Sequence, residues 1–190
     1  MTSNTKDLLI EAAIEVLASE PSASLSEIAE AAGVKRMTLH RLIGTRDELL
    51  KEIAIRSLHE MDAACNEATQ GAKTAIAALR ACVEALVPLG DRCHFLWSLT
   101  EIWEEPSVAK ETARQDQELS DLIDVAKAEG SIAADIPNAW IVASIEALVF
   151  AAFQTSRSGS IDAKDAGKLA TRTLFAGIEA RPNRKARAKK

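Results

Sequence analysis

Apolar residues recur at three- and four-residue intervals over positions 6–19. Leu9, Ala13 and Val16 form one stripe, and Ile10, Ile14 and Leu17 a second beside it. That spacing predicts an amphipathic helix, which Pro21 ends. Residues 24–27 read SLSE, a capping box in which the Ser side chain and the Glu three positions on satisfy each other's free amides. A short helix ending at Ala32 is predicted there, with Gly33 free to take the positive φ of a tight turn. A second short helix is predicted over 35–42, closed by Gly44. TRDE at 45–48 is another capping box, and it opens a longer helix with the stripe Leu50, Ile53 or Ala54, Ser57 or Leu58, and Met61. The first fifty residues thus hold three helices, two of them very short. So small a unit buries too little surface by itself and must lean on the fourth helix.

From position 74 the pattern changes to long helices: 74–87, a break at Pro88-Leu89-Gly90, 93–103, 106–129 halted by Gly130, a start at Asp135-Ile136-Pro137 that runs to about 156, and 162–179. With 8 Gly, 5 Pro and no long β-branched alternation, a β-sandwich lacks its turns, and the class is all-α with about nine helices. The expected organisation is a head over 1–50, a connecting helix over about 46–65, a larger helical domain over 66–180 and a basic, disordered tail over 181–190.

Composition removes several function classes. The N-terminal stretch lacks the basic start and unbroken apolar run of a signal peptide, and the apolar tract 140–153 contains Glu146 and is too short to span a bilayer. Cys65, Cys82 and Cys93 are odd in number and lack CxxC spacing, so reduced, buried thiols in a cytoplasmic protein are expected. His40, His59 and His94 follow Met37, Arg56 and Asp91 at the distance where a helical carboxylate site needs Glu. HExxH, GxSxG and a phosphate-cradling Gly loop are missing as well, so the sequence predicts neither an enzyme, nor a metal site, nor a cofactor.

Charge sharpens the picture. The chain carries 28 acidic and 23 basic side chains, a net charge of -5, yet residues 33–45 read GVKRMTLHRLIGT with no acid among them. That basic island falls on the second of two short helices joined by a Gly turn, the layout of a helix-turn-helix. Leu39, Leu42 and Ile43 are placed to hold the helix inward, leaving Lys35, Arg36, Met37, Thr38, His40 and Arg41 outward. Lys and Arg suit phosphates, Arg also pairs with guanine, and Thr can touch a thymine methyl. A protein repelled by DNA everywhere except one face is oriented by its own field. Taken alone, the island is equally compatible with solvated surface charge.

Over about residues 6–50 the chain resembles the N-terminal domain of the TetR family of bacterial transcriptional regulators, through LLIEAAIEVLA, SLSEIAEAAGV, TLHR and TRDELL in the family's order and spacing. The resemblance implies Arg36, Met37, Thr38 and His40 against base edges, and Arg41, Arg46 and Ser24 or Ser26 on phosphates. The departures include His40 where the family usually has Tyr, Met37 for a small residue, and Ile43 for Phe. It further implies a C-terminal domain that binds a small molecule and dimerises through its last two helices.

Ala143, Ala147 and Ala151 on one predicted helix, and Ala166, Ala170, Leu174 with Gly177 or Ile178 on the last, are small-residue stripes that permit close helix approach, either between two chains or within one. Arg80, His94, Trp97, Glu101 and Trp103 are the candidates for an effector pocket, because they mix aromatic and polar groups; the aromatics fit plain core equally. The reading is a ligand-responsive regulator, expected to repress, that binds a palindromic operator as a dimer. The alternative is a helical small-molecule-binding protein whose DNA-binding head has decayed.

Overall fold

The computed structural model describes the backbone of residues 2–98 and 100–178, and the side chains among these except those of residues 2–4, 93, 97, 98, 100 and 101. The basic tail, 181–190, lies outside the described residues. Among the described residues there are nine α-helices, two short 3-10 turns and no strand. Two compact units divide the chain, one of Met1–Ala63 with Pro88–Gln115, the other of Ala64–Val87 with Asp116–Lys190.

The first unit holds α1 (Thr2–Ser19), α2 (Leu25–Ala31), α3 (Arg36–Leu42), most of α4 (Arg46–Ala68), α6 (Gly90–Ser98) and the start of α7 (Pro106–Ala128). Its core gathers Leu9, Ala13, Ile14 and Leu17 of α1, Ile28 of α2, Leu39 of α3, Leu49, Ile53 and Leu58 of α4, and Phe95 and Leu96 of α6. Each such side chain contributes about 1.5–3 kcal/mol by leaving water. The head leans on α4, as its small size demands, and on α6 too, so residues 88–115 join it although the pattern alone grouped them with the larger domain. On α4 the deepest first-turn residue is Leu49 rather than Leu50, which is half-buried.

Charges reinforce this packing. Arg92 on α6 donates to Glu11 of α1 at 2.6 Å and to Glu60 of α4 at 3.0 Å, and pairs with its neighbour Asp91. Arg56 of α4 reaches Asp7 at 2.8 Å, Glu11 at 3.0 Å and Glu60 at 2.8 Å. Burial works against the Arg92 charge, but Glu60, Asp91 and Glu11 more than offset it and raise its pKa. The three helices are thereby fixed in one mutual orientation.

The second unit is built from α5 (Ala75–Leu86), the rest of α7, α8 (Asn138–Arg157) and α9 (Ala163–Ile178), with α8 and α5 both packed on α9. Thr74 caps α5 by accepting from the Ala77 amide at 3.3 Å. Pro137 is the cap residue preceding α8 rather than its first helical residue. Asn138 ties that start to α7, donating to Ser120 Oγ at 2.9 Å and to Asp124 at 2.8 Å. A Cβ on Gly167 would stand 3.4 Å from the Cα of Glu84, so α5 and α9 approach backbone to backbone there.

That close approach decides which small-residue stripe is used inside the chain. Ala166, Ala170, Leu174 and Ile178 of α9 are buried within their own unit, so this stripe is not available to a second subunit. On α8 the opposite holds. Ile141, Ile145, Val149 and Ala152 face inward, while Trp140, Ala143, Ala147 and Ala151 are exposed, Trp140 to 66%. By length and composition α8 is apolar enough to cross a membrane, yet only 22% of that stretch is buried within the chain.

Candidate nucleic-acid interface

The local chemistry that shapes the head is short in range. Ser24 accepts from the Glu27 amide at 3.3 Å, and Glu27 accepts from the Ser24 amide at 2.7 Å, closing the box that starts α2. Thr45 and Glu48 repeat it before α4, at 3.2 and 2.7 Å. The backbone hydrogen bonds from Ser24 and Thr45 hold both glutamates below the usual carboxylate range, with the two hydroxyls helping. Between α2 and α3, Gly33 takes φ 65°. Its amide donates to Glu30 O at 2.9 Å and the Val34 amide to Ala29 O at 2.9 Å, the doubly bonded helix ending that needs a left-handed residue at this place. Gly44 has φ 105° and lies against the Glu48 carboxylate, where any Cβ would collide.

These turns set α3 on the surface by a single deep anchor. Leu39 is fully buried, and Leu42 and Ile43 are half-buried. Lys35, Arg36, His40 and Arg41 are exposed, Thr38 is half-exposed, and Met37 is exposed to 83%. A thioether so bare gains nothing from the fold. Ser24 and Ser26 are exposed at the start of α2. Arg46 is engaged differently, since its guanidinium donates to the carbonyls of Pro21, at 2.6 Å, and Ala23. It fastens the α1–α2 turn beneath the α2 start.

The effector-pocket candidates are divided between the two units. Arg80 belongs to the second unit, where its guanidinium sits 4.3 Å from the centre of the Phe175 ring. It borders an open cleft of about 310 Å³ with Glu84, Lys168, Thr171 and Arg172. His94 and Trp103 belong to the first unit, and Trp103 packs on its core. The side chains of Trp97 and Glu101 lie outside the described residues. Sequence reading passed over a different pair, Asp116 on α7 and Glu146 on α8. Both side chains are exposed, yet partial desolvation by their surroundings raises both pKa values, and the Asp116 charge raises that of Glu146 further. The one available signal was an acid placed inside the apolar run of α8.

A cationic helix presented by a capped helix and a glycine turn defines a helix-turn-helix DNA-binding protein. No family model matches the chain. It is 31% identical over 156 residues, 82% of this chain and 80% of the relative, to the HTH-type transcriptional repressor LfrR of Mycolicibacterium smegmatis. A shorter match, 51% over 43 residues and 23% of each chain, is to the HTH-type transcriptional regulator NfxB of Pseudomonas aeruginosa. The crystal structure of LfrR in complex with proflavine superposes with a TM-score of 0.76 at 28% identity, covering 93% of this chain and 97% of that one. KstR2 of Mycobacterium tuberculosis, a ketosteroid transcriptional regulator, shares the fold at TM-score 0.79 and 15% identity, over 93% of this chain and 95% of that one. The chain belongs to the TetR family of transcriptional regulators. It is a DNA-binding regulator, and a helical binding protein with a decayed head is not favoured.

Proposed function

We propose that the protein is a cytoplasmic, homodimeric repressor that releases a palindromic operator when a small molecule binds its second unit. The observation that carries the DNA-reading part is the exposure of Arg36, Met37, His40 and Arg41 on a helix whose one fully buried side chain is Leu39. In this reading Arg36, Met37, Thr38 and His40 meet base edges, while Lys35, Arg41, Ser24 and Ser26 hold phosphates. Arg46 supports them by fixing the turn. A dimer follows from half-site geometry, since two recognition helices must enter major grooves about 34 Å apart. The mostly apolar outer face of α8, which also carries Glu146, supplies the contact, with Trp140 and the Ala143, Ala147, Ala151 stripe against the same face of a second copy.

For the effector, the neighbouring carboxylates of Asp116 and Glu146 favour a cation, because a positive charge beside them offsets the repulsion that helps raise the Glu146 pKa. Proflavine, the planar dye held by LfrR, is such a cation and serves as the probe. Binding works as a population shift, in which an effector that prefers one spacing of the two heads lowers the fraction able to grip both half-sites. Mobility-shift titration of the chain's own upstream DNA tests the reading. A specific shift whose log affinity falls steeply with log salt supports it, as does loss of the shift on adding proflavine. Equal affinity for upstream and random duplex contradicts operator reading, and a proflavine-insensitive complex contradicts the cationic effector.

A further inference from the structure

The cleft on the second unit carries its charge unevenly. One wall is a face of α5, with Arg80 and Glu84 four residues apart; the other is a face of α9, with Lys168, Arg172 and Ala176 at the same spacing. The two helices run antiparallel there, since Glu84 lies against Gly167 early in α9 while Arg80 lies against Phe175 late in it. At the Glu84 end the charges compensate one another. Lys168 pairs with Asp165 at 3.0 Å, and Glu84 stands 3.3 Å from the Thr171 hydroxyl, whose residue is 4% exposed. Toward the other end the lining is Arg80, Arg172 and Ala176, two cations and a methyl group. In a chain of net charge -5 such a pair is out of keeping with its surroundings.

We infer that the Arg80–Arg172 end of this cleft is an anion-binding site, and that its ligand is a small molecule carrying a phosphate monoester. The Phe175 ring, 4.3 Å from the Arg80 guanidinium, engages the face of that group and not its in-plane N–H donors. The stack therefore holds one fork in place in advance. Among the described residues no carboxylate pairs with Arg172. Arginine forks bind phosphate oxygens two at a time. A phosphate monoester brings a charge of about -1.5 to -2 on one group near neutral pH, which answers two guanidinium charges; a single carboxylate answers one. The cleft, about 310 Å³, lies at the small end of ligand sites and exceeds a phosphate group alone. The rest of the molecule then extends toward Thr171, Glu84 and Lys168, whose mixed polarity fits hydroxyl groups. Lys168 and Asp165 are 56% and 62% exposed, so their pair contributes little and opens at little cost to lend a third cation. The site is opposite in sign to the cationic effector proposed above and does not rest on that reading.

Inorganic phosphate is the probe. Radiolabelled phosphate is dialysed to equilibrium against the full-length protein at fixed ionic strength, and the expected result is saturable binding of one phosphate per chain. The chain's other basic segments serve as controls. Neither Arg36→Ala with Arg41→Ala on α3 nor deletion of residues 181–190 changes the binding. Arg172→Ala weakens it at least about tenfold, and Ala176→Glu, which sets a carboxylate at the same end, abolishes it. Both positions are exposed, so circular dichroism and melting temperature stay those of the wild type. Glycerol 3-phosphate displaces the label, whereas succinate at the same concentration does not. The proposal is overturned if binding does not saturate, if either Arg172→Ala or Ala176→Glu binds like the wild type, or if binding is lost with the α3 arginines or the tail. Displacement by succinate as effective as by glycerol 3-phosphate overturns the phosphate assignment.

Discussion

Two helices turn toward solvent a face that the fold itself does not require, and the faces are opposites. On α3 the outward residues are Arg36, Met37, His40 and Arg41, behind which a single leucine is fully buried. On α8 they are Trp140, Ala143, Ala147 and Ala151, behind an inward row of Ile141, Ile145 and Val149. The first face repels a second copy of itself and attracts a polyanion; the second, apolar apart from Glu146, loses free energy to water until another apolar surface covers it. In the proposed reading one chain therefore carries a surface for DNA and a surface for protein, kept apart by chemistry.

The comparison breaks most visibly at α8. Ala147→Glu places an unpaired charge in the proposed interface, and roughly 3–5 kcal/mol of association energy is lost. Sedimentation then reports single chains, and operator affinity falls with helical content unchanged, because Ala147 is exposed in the single chain. A variant that sediments as a dimer removes α8 from the interface. Next in size is Leu39→Ala, which empties the fully buried site under α3 and costs about 2–5 kcal/mol of the first unit's stability. Chemical denaturation reads the loss, while the proposed α8 interface is expected to keep the variant dimeric by sedimentation, separating the two faces experimentally. Ser24→Ala removes the accepting hydroxyl of the α2 capping box and lowers stability by about 1 kcal/mol. The smallest effect is one of pH. Glu105 accepts from Lys51 and from Ser107 at the start of α7, and these contacts hold its pKa down to about 2. Since the folded value lies below the unfolded value of about 4.3, the contribution is present above that value and fades as pH falls toward 2. Glu105→Gln accordingly flattens the decline of the urea midpoint in acid.

The head was legible because its determinants are local. Each capping pair lies three residues apart, and Gly33 and Gly44 mark turns at their own positions. What stayed hidden is carried by long sequence separations. Arg46 reaches carbonyls of the preceding turn, 25 residues back for Pro21, where a phosphate contact was expected. Arg92 joins α6 to α1 across 81 residues, which moves 88–115 to the head's side. The small-residue stripes of α8 and α9 share one spacing, and periodicity cannot say which is covered within the chain. The Gly167 approach settles that for α9. Among the effector candidates, Arg80 and Trp103 fall in different units, a division that spacing along the chain does not reveal.

The account rests on α3 as the DNA reader, and Arg36→Ala with Arg41→Ala tests it most directly. Both side chains are exposed, so the double variant keeps the wild-type melting temperature and dimer. Fluorescence anisotropy with upstream operator DNA should show affinity at least about tenfold weaker, from about 1–3 kcal/mol for each base-reading Arg, and a salt slope shallower by about 1 for each phosphate contact removed. Unchanged affinity and slope in the folded, dimeric variant would contradict the assignment and move DNA recognition off this helix.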